Sequence, residues 1–334
     1  MKKGSVSYMV LCLVLLVTLV VPTGVLAGKA NVVGEGRSGT QQMGTVEIVK
    51  KAGIEGVPPI IAPARGPKPH AATGILGEEV AGKRYAIVIG ISDYPGSKHV
   101  LEGGYDLSYA HDDAEAMGSL LKSIYGFDSI QLLADKDATR EAVLSEIAEL
   151  SRSVCEGDEV VFFFSGHGAR FIPARGQSQV GIVTWGWESQ TDPTDFSLEV
   201  IWDRELKEAF SEFKTDRIAF IFDCCLAGGM IELGTKGRVI SMATTQQGVA
   251  YEYGEDYGEP WGDIGQINHG LFTYFFAVLG MQTGLADTNA EDGAVTVEEA
   301  FDFSRGWLES LSIKVPQLWQ IPTIADRFKQ DLVP

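Results

Sequence analysis

A histidine and a cysteine lie in two glycine-rich motifs of this 334-residue chain. His167 is the third residue of an S-G-H-G motif, and 58 residues later Cys225 is the third residue of a D-C-C-L-A-G-G motif. A thiol becomes a strong nucleophile when a nearby imidazole accepts its proton, and glycines let a backbone approach a substrate closely. Each residue alone also fits a structural role, as a polar turn residue or a small buried side chain. Together they predict a nucleophilic site.

Both motifs follow segments that are predicted to be buried strands. His167 comes shortly after the apolar run Glu159–Phe164, and Cys225 follows Arg217–Asp223. Nearly continuous apolar residues are typical of strands in parallel sheets that are covered on both faces. In open α/β sheets, ligands bind beyond the carboxyl ends of the strands. We therefore expect the two motifs to meet at one edge of a sheet.

Strand and helix patterns alternate from Lys83 onwards, which predicts an α/β fold. The other predicted strands are Tyr85–Ile91, Ile130–Ala134 and Val239–Ala243. The predicted helices are Ser108–Ile124, Thr139–Ser153, Asp203–Phe213, Leu271–Met281 and Thr296–Leu311, the last with a capping box formed by Thr296 and Glu299. The stretches Gly166–Glu199 and Met230–His269 are predicted to be irregular, and long loops of this kind are usually functional or disordered.

The two motifs resemble those of caspase-like peptidases, in particular metacaspases and their prokaryotic relatives. The D-C-C-L-A-G-G motif is similar to the metacaspase pattern D-x-C-x-[SA]-G, and it departs from the Q-A-C-x-G pattern of animal caspases. The resemblance runs from about Lys83 to Ile324. It implies a caspase-like three-layer α/β/α sandwich with a mostly parallel central sheet, which we assign to residues 83–328.

This resemblance implies roles for individual residues. Cys225, rather than Cys224, would be the nucleophile, and His167 would move protons during hydrolysis through a thioester acyl-enzyme. The backbone N–H groups of Gly168 and Cys225 would stabilise the oxyanion. This chemistry requires no cofactor. Alternation along an extended strand also places Cys224 on the face opposite Asp223 and Cys225.

The resemblance further implies cleavage after basic residues. In metacaspases an acidic pocket binds Arg or Lys before the cleaved bond, and the matching residues here are Asp113 and Asp223. A pair of carboxylates suits a guanidinium or ammonium group. Caspases that cleave after Asp need an arginine, and the segment Leu107–Asp113 contains none. The alternative roles are a helix N-terminal charge for Asp113 and a turn residue for Asp223.

Two other family properties depend on single residues. Many metacaspases bind calcium through acidic residues before the helix that leads to the cysteine strand. Asp203 matches one of them, but Arg204 replaces the second acid and argues against calcium dependence. Asp203 alternatively caps its helix. Self-cleavage is common among the relatives, and Lys236 and Arg238 are the candidate sites.

The N-terminus has the composition of a signal peptide. Lys2 and Lys3 precede an apolar run, Met9–Val21, and the small-residue site Val25-Leu26-Ala27 ends the segment 1–27. The run is shorter than the roughly 20 residues needed to cross a bilayer. This favours a secreted or extracytoplasmic protein over one anchored in the membrane by an uncleaved segment. Residues 28–82, rich in Gly, Pro and Ala, are predicted to be a flexible linker or a pro-segment.

The charge of the chain restricts its partners. Removal of residues 1–27 would change the formal charge from −18 to −20, which disfavours nucleic acid and favours cationic ligands or peptide substrates. Cys155, Cys224 and Cys225 would remain, an odd number that argues against a disulfide framework. The sequence has no G-x-S-x-G elbow and no H-E-x-x-H motif. The alternative to a peptidase is a catalytically silent caspase-fold module that binds peptides or scaffolds a complex.

Overall fold

The computed structural model describes residues 26–35, 41–54, 74–77, 80–187, 199–258, 265–288 and 293–328. Residues 1–25 of the predicted signal peptide lie outside the described residues, so its cleavage stays a prediction. Within the described ranges, no helix is long and apolar enough to cross a membrane.

The strands and helices that were predicted for the central sheet are all present. The strands of the described residues are, in chain order, β1 (Leu26–Glu35), β2 (Gln41–Val49), β3 (Ala52–Gly53), β4 (Arg84–Gly90), β5 (Ser129–Ala134), β6 (Glu159–Ser165), β7 (Gly168–Pro173), β8 (Gln179–Val183), β9 (Val200–Trp202), β10 (Ile218–Asp223), β11 (Arg238–Met242), β12 (Tyr251–Tyr253), β13 (His269–Gly270) and β14 (Thr323–Asp326). The helices are α1 (Ala110–Ser123), α2 (Arg140–Ser153), α3 (Asp203–Ala209), α4 (Leu271–Thr273), which continues as a π-helical segment over Tyr274–Met281, and α5 (Val297–Lys314). The predicted capping box at the start of α5 is confirmed.

The central sheet has six strands in the order β14-β11-β10-β6-β4-β5. Five of them are parallel, and β14 pairs antiparallel with β11 at one edge. Every residue of β6 and β10 is buried, as their continuous apolar sequences require. Helix α1 packs against β4, β5 and β6, whereas α5 packs against β11 and the π-helical segment. The predicted α/β fold class with a mostly parallel central sheet is confirmed.

A second sheet, which is antiparallel, has the order β1-β2-β7-β8-β9. The prediction of an irregular stretch over Gly166–Glu199 is wrong where β7 and β8 form a hairpin. These strands lack a continuous apolar run, because an antiparallel strand does not need to be buried on both faces. The local sequence therefore carried a weaker strand signal.

The segment predicted to be a flexible linker or a pro-segment, residues 28–82, also contains paired strands. Strand β2 pairs with β7 from Gly44 opposite Pro173 to Val49 opposite Gly168, and β1 pairs with β2. Residues Val46–Val49 are buried. The expected flexibility is wrong for this part of the segment, because pairing with a strand more than 100 residues away leaves no mark on local composition. The alternative of a pro-segment stays a prediction.

A third, small sheet has the order β13-β12-β3. Strand β3 pairs parallel with β12, with Ala52 opposite Tyr251 and Gly53 opposite Glu252. Residues 50 and 51 therefore connect a strand that ends beside Gly168 to a strand that runs beside β12. This path takes the N-terminal segment directly past the two glycine-rich motifs.

Candidate active site

The two predicted catalytic residues follow neighbouring parallel strands. Strands β6 and β10 pair in register up to Ser165 opposite Asp223, and His167 and Cys225 each lie two residues further along. The motifs touch through Gly168, where a β-carbon would lie 2.0 Å from the carbonyl oxygen of Cys225. Glycine at this position is a steric requirement, since no side chain fits in that space.

Gly168→Ala is expected to destabilise the protein by about 1–3 kcal/mol through this overlap and to lower any activity of the site. Gly306→Ala is the matched control, because Gly306 is an exposed residue of α5 with no atom within 4 Å of an added β-carbon. The control is expected to gain about 1 kcal/mol from helix propensity. Urea unfolding of both variants checks this, and equal stabilities would contradict the steric argument.

His167 is held in one orientation by the loop that precedes α1. Its Nε2 lies 2.6 Å from the carbonyl oxygen of Tyr105, so Nε2 carries the hydrogen and donates it. The imidazole stacks on the ring of Tyr94 at a centroid distance of 4.9 Å, and the Tyr94 hydroxyl accepts a hydrogen bond from the backbone N–H of His167. The other ring nitrogen, Nδ1, therefore carries no hydrogen and is the acceptor of the ring.

A peptide group of the N-terminal segment lies against both predicted catalytic residues. The Lys51 backbone N–H donates to Nδ1 of His167 at 3.0 Å. The thiol of Cys225 donates to the carbonyl oxygen of Lys50 at 3.1 Å and accepts from the backbone N–H of Ala250 at 3.2 Å. The carbonyl of Lys50 and the N–H of Lys51 are the two ends of one peptide bond, so a single peptide group contacts both side chains.

The thiol of Cys225 and the imidazole of His167 are both uncharged in this arrangement. Burial raises the pKa of the Cys225 thiol to about 12. Burial also lowers the pKa of His167 to about 3, with the nearby charges of Lys50 and Lys51 acting in the same direction. A thiol and a neutral imidazole at neutral pH form an unactivated pair, since the thiolate is the nucleophile.

The two aspartates that were predicted to form an acidic pocket both contact the ammonium group of Lys51, and both carboxylates are buried. Asp113, in the first turn of α1, accepts hydrogen bonds at Oδ1 from the Gly270 backbone N–H at 2.9 Å and at Oδ2 from the Ser165 hydroxyl at 2.7 Å. Asp223, the last residue of β10, accepts at Oδ2 from the backbone N–H and the hydroxyl of Thr273, at 3.0 and 2.8 Å. Strand β10, which precedes Cys225, thus supplies Asp223, whereas Asp113 comes from α1.

The side chain of Lys51 fills this pocket. Its Nζ lies 3.0 Å from Oδ1 of Asp223 and 3.3 Å from Oδ2 of Asp113, and it donates to the Ser165 hydroxyl at 3.0 Å. Burial alone would lower the pKa of Lys51, but Asp223 and Asp113 outweigh it and raise the pKa above its ordinary value. Burial would likewise raise the pKa of Asp113, yet the charge of Lys51 holds it below its usual range. The ammonium group is therefore charged and paired.

Several residues of this site were not predicted from the sequence. Ser165 is the first residue of the S-G-H-G motif, so the sequence indicated that it lies near His167. His269 lies outside both motifs, and its Nδ1 is 3.0 Å from Oδ1 of Asp113. The Tyr105 carbonyl, the Ala250 N–H and Lys51 gave no usable signal, because backbone groups and a lone lysine have no motif.

The remaining predicted residues lie elsewhere. Asp203 begins α3 and accepts a hydrogen bond from the Arg204 backbone N–H, and burial raises its pKa to about 6. The described residues contain no group of three or more His, Cys, Asp or Glu that could hold a metal ion. Arg238 is wrong as a cleavage site in this fold, because it is buried in β11 and its guanidinium donates to the carbonyls of Phe210 and Leu233. Lys236 is exposed and stays a prediction.

Comparison with known proteins decides the family. The family model described as "Caspase domain" matches residues 83–325, which is most of the chain. The chain belongs to the caspase-domain family. The matched range begins at the predicted domain start and includes both glycine-rich motifs as well as Asp113 and Asp223, so the family resemblance inferred from the motifs is confirmed.

The caspase-domain chain is also similar to curated metacaspases. It is 30% identical over 162 residues to Metacaspase-8 of Arabidopsis thaliana, covering 44% of this chain and 38% of that protein. It is 27% identical over 181 residues to Metacaspase-3 of Trypanosoma brucei brucei, covering 51% of this chain and 46% of that protein. The aligned parts thus span less than half of these relatives. A structural match to protein GSU0716 of Geobacter sulfurreducens, with a TM-score of 0.46 at 16% identity over 73% of this chain and 93% of that one, is too weak to add to the assignment.

Proposed function

We propose that this protein is a cysteine endopeptidase that hydrolyses peptide bonds after Lys or Arg. The observation that carries the proposal is the position of Lys51, whose ammonium group pairs with two buried carboxylates while its backbone N–H contacts His167. The pocket accepts a basic side chain, and the thiol of Cys225 lies against the adjoining peptide group. Membership of the caspase-domain family supports the same reaction.

The proposed mechanism uses Nδ1 of His167 as the proton carrier. Nδ1 takes the proton from the thiol of Cys225, and the thiolate attacks the carbonyl carbon of the residue whose side chain fills the pocket. The C–N bond then breaks, the leaving nitrogen receives the proton from Nδ1, and a thioester remains. Water, deprotonated by the same nitrogen, hydrolyses the thioester and regenerates the thiol.

Two groups of the backbone complete the proposed mechanism. The carbonyl of Tyr105 fixes the imidazole so that Nδ1 faces the substrate, as the orienting group does in other nucleophile–base pairs. The N–H groups of Gly168 and Cys225 are proposed to stabilise the negative oxygen of the tetrahedral intermediate. The nucleophile, the proton carrier and these donors all belong to the chain, so we propose that hydrolysis requires no cofactor or calcium.

The proposed specificity follows from charge. Asp113 and Asp223 are both buried, and a cation between them removes most of their mutual repulsion. Ser165 offers a further acceptor for an ammonium or guanidinium hydrogen. An acidic side chain in the same pocket would add a third negative charge, so peptides that end in Asp are excluded.

The test compares fluorogenic peptides with Lys, Arg or Asp before the reporter, in buffer with calcium or with a chelator. The full chain is assayed with Cys225 intact or as Cys225→Ala, and each form is also made with Lys51→Ala to empty the pocket. Cleavage of Lys and Arg peptides that requires Cys225 and survives the chelator is the expected result. If no peptide is cleaved in either background, the silent peptide-binding module becomes the better account.

A further inference from the structure

We propose that residues Val46–Ile54, here called the plug, are a built-in competitive inhibitor that the enzyme cannot cleave, because the plug crosses the site in the direction opposite to a substrate. This inference rests on the proposed function, since it names the regulation of the same site. It assigns Lys51 as the residue that mimics the basic side chain of a substrate.

The plug cannot be a substrate, because the carbonyl at the thiol belongs to the wrong residue. Cleavage after a basic residue requires that residue's own carbonyl to face Cys225, with its side chain in the pocket. In this structure Lys51 fills the pocket, but the thiol contacts the carbonyl of Lys50, on the other side of the Lys51 α-carbon. The bond that follows Lys51 leads away along β12.

The same geometry fixes the direction in which substrates bind. The residues after Lys51 pair with β12, where the Ala52 N–H donates to the Ala250 carbonyl at 3.0 Å and the Ile54 N–H donates to the Glu252 carbonyl at 3.3 Å. In the plug, the chain before Lys51 lies at Cys225 and the chain after Lys51 lies along β12. For the carbonyl of the residue in the pocket to reach Cys225, the chain must run through the site in the other direction. A substrate would therefore place the residues before its basic side chain along β12, and the plug is reversed relative to it.

The protonation state of the catalytic pair agrees with an inhibited form. The thiol donates its hydrogen to the Lys50 oxygen, and Nδ1 of His167 is engaged by the Lys51 N–H. The imidazole therefore has no free acceptor for the thiol proton while the plug is present. Removal of the plug would free Nδ1 and expose both groups to solvent, which moves both pKa values back towards their ordinary range.

The plug is anchored at both ends and in the middle. On one side β2 pairs with β7 as far as Val49 opposite Gly168, and Arg170 lies 2.6 Å from Glu47 in a largely buried ion pair. In the middle, the ammonium group of Lys50 donates to the carbonyls of Gly103 and Gly104 at 3.0 and 2.6 Å, and it lies 4.2 Å from the centre of the Tyr105 ring. Lys50 thus binds the loop whose carbonyl orients His167.

Activation therefore requires the plug to leave the site, and the extra strand β2 to separate at least partly from β7. Removal of the Lys51 ammonium group takes away the cation that lies between Asp113 and Asp223. The Lys51→Ala chain is thus expected to cleave a Lys peptide with kcat/KM at least about tenfold above that of the unaltered chain, as when a blocked fraction of nine-tenths is released. Lys51→Arg keeps the cation and is expected to stay inhibited.

The decisive experiment measures kcat/KM of full chains carrying Lys51→Ala, Lys51→Arg or the control Lys136→Ala, which removes an exposed lysine.

A second experiment follows hydrogen exchange of residues 46–54 in the unaltered chain while Cys225 is labelled by a lysyl chloromethyl ketone. Faster exchange is expected as the plug is displaced. This second measurement does not depend on the folding of a variant. Equal activity of the unaltered and Lys51→Ala chains, or labelling of Cys225 without faster exchange, would overturn the plug while leaving the peptidase intact. Absence of cleavage in all chains would remove the proposed function, and the plug proposal with it.

Discussion

His167→Ala, introduced into the Lys51→Ala chain, is expected to lower kcat/KM for a Lys peptide by about 10³-fold to 10⁴-fold. The loss follows because the thiol then has no nearby base, and because the leaving nitrogen has no proton donor. The Lys51→Ala background matters, since an occupied pocket would hide the effect. Steady-state hydrolysis of the fluorogenic Lys peptide measures the change directly.

His111→Ala is the matched control for this prediction. His111 is a half-exposed histidine of α1, and its ring contacts Asp135 and Glu115 rather than any residue of the active site. Its activity is expected to stay within about threefold of the parent, which is the small effect usual for surface substitutions. A loss below tenfold in His167→Ala would contradict the assignment of His167 as the proton carrier.

Asp113→Ala is expected to lower the free energy of unfolding of the otherwise unaltered chain by about 3–5 kcal/mol. Removal of this carboxylate deprives the buried ammonium group of Lys51 of one of its two counter-charges, and it leaves the Gly270 N–H without its acceptor. The loss is expected to be smaller when Lys51→Ala is also present, because the buried cation is then gone. Urea unfolding of the two single variants and the double variant measures this coupling.

The contribution of Asp113 to the free energy of unfolding also depends on pH, in a direction set by the pKa of Asp113. The pKa of Asp113 is lower in the folded state than its ordinary value of 3.8, because the charge of Lys51 outweighs the cost of burial. Its contribution is therefore fully present above pH 3.8 and is lost as the pH falls through the lower folded value. Asp113→Ala and the unaltered chain should converge in stability at acid pH. A constant difference would contradict the buried ion pair.

Asp137→Ala is a suitable control, since Asp137 is an exposed residue of the turn after β5. The free energy of unfolding of Asp137→Ala is expected to change by less than about 0.5 kcal/mol.

Asp113→Ala is also expected to lower activity. In the Lys51→Ala background it should lower kcat/KM for Lys peptides by about two orders of magnitude, because truncating one partner of a buried charge pair costs that much binding energy. Unchanged activity of this variant towards Lys and Arg peptides would contradict the proposed binding pocket.

The sequence by itself determined the central sheet, its helices and the two catalytic motifs. Strands such as β6 and β10 are buried on both faces, so their apolar runs are continuous and can be recognised locally. Parallel strands end at the same edge, and the order of motifs along the chain was enough to predict that His167 and Cys225 meet there. The resemblance to metacaspases then supplied Asp113 and Asp223, which the structure brings together around one ammonium group.

Only the tertiary structure decided what occupies and orients the site. The contact between Lys51 and His167 joins residues 116 positions apart, and the bond from His167 to the Tyr105 carbonyl spans 62. Neither contact has a local sequence pattern. Every residue has the same backbone carbonyl, and Lys51 reaches the pocket only because a paired strand places it there. Strand β2 positions Lys51 by pairing with β7, and strand pairing depends on partners that the local sequence does not specify. The motifs thus indicated which side chains meet and what chemistry to propose for them, whereas the occupation of the site by Lys51 was a property of the fold.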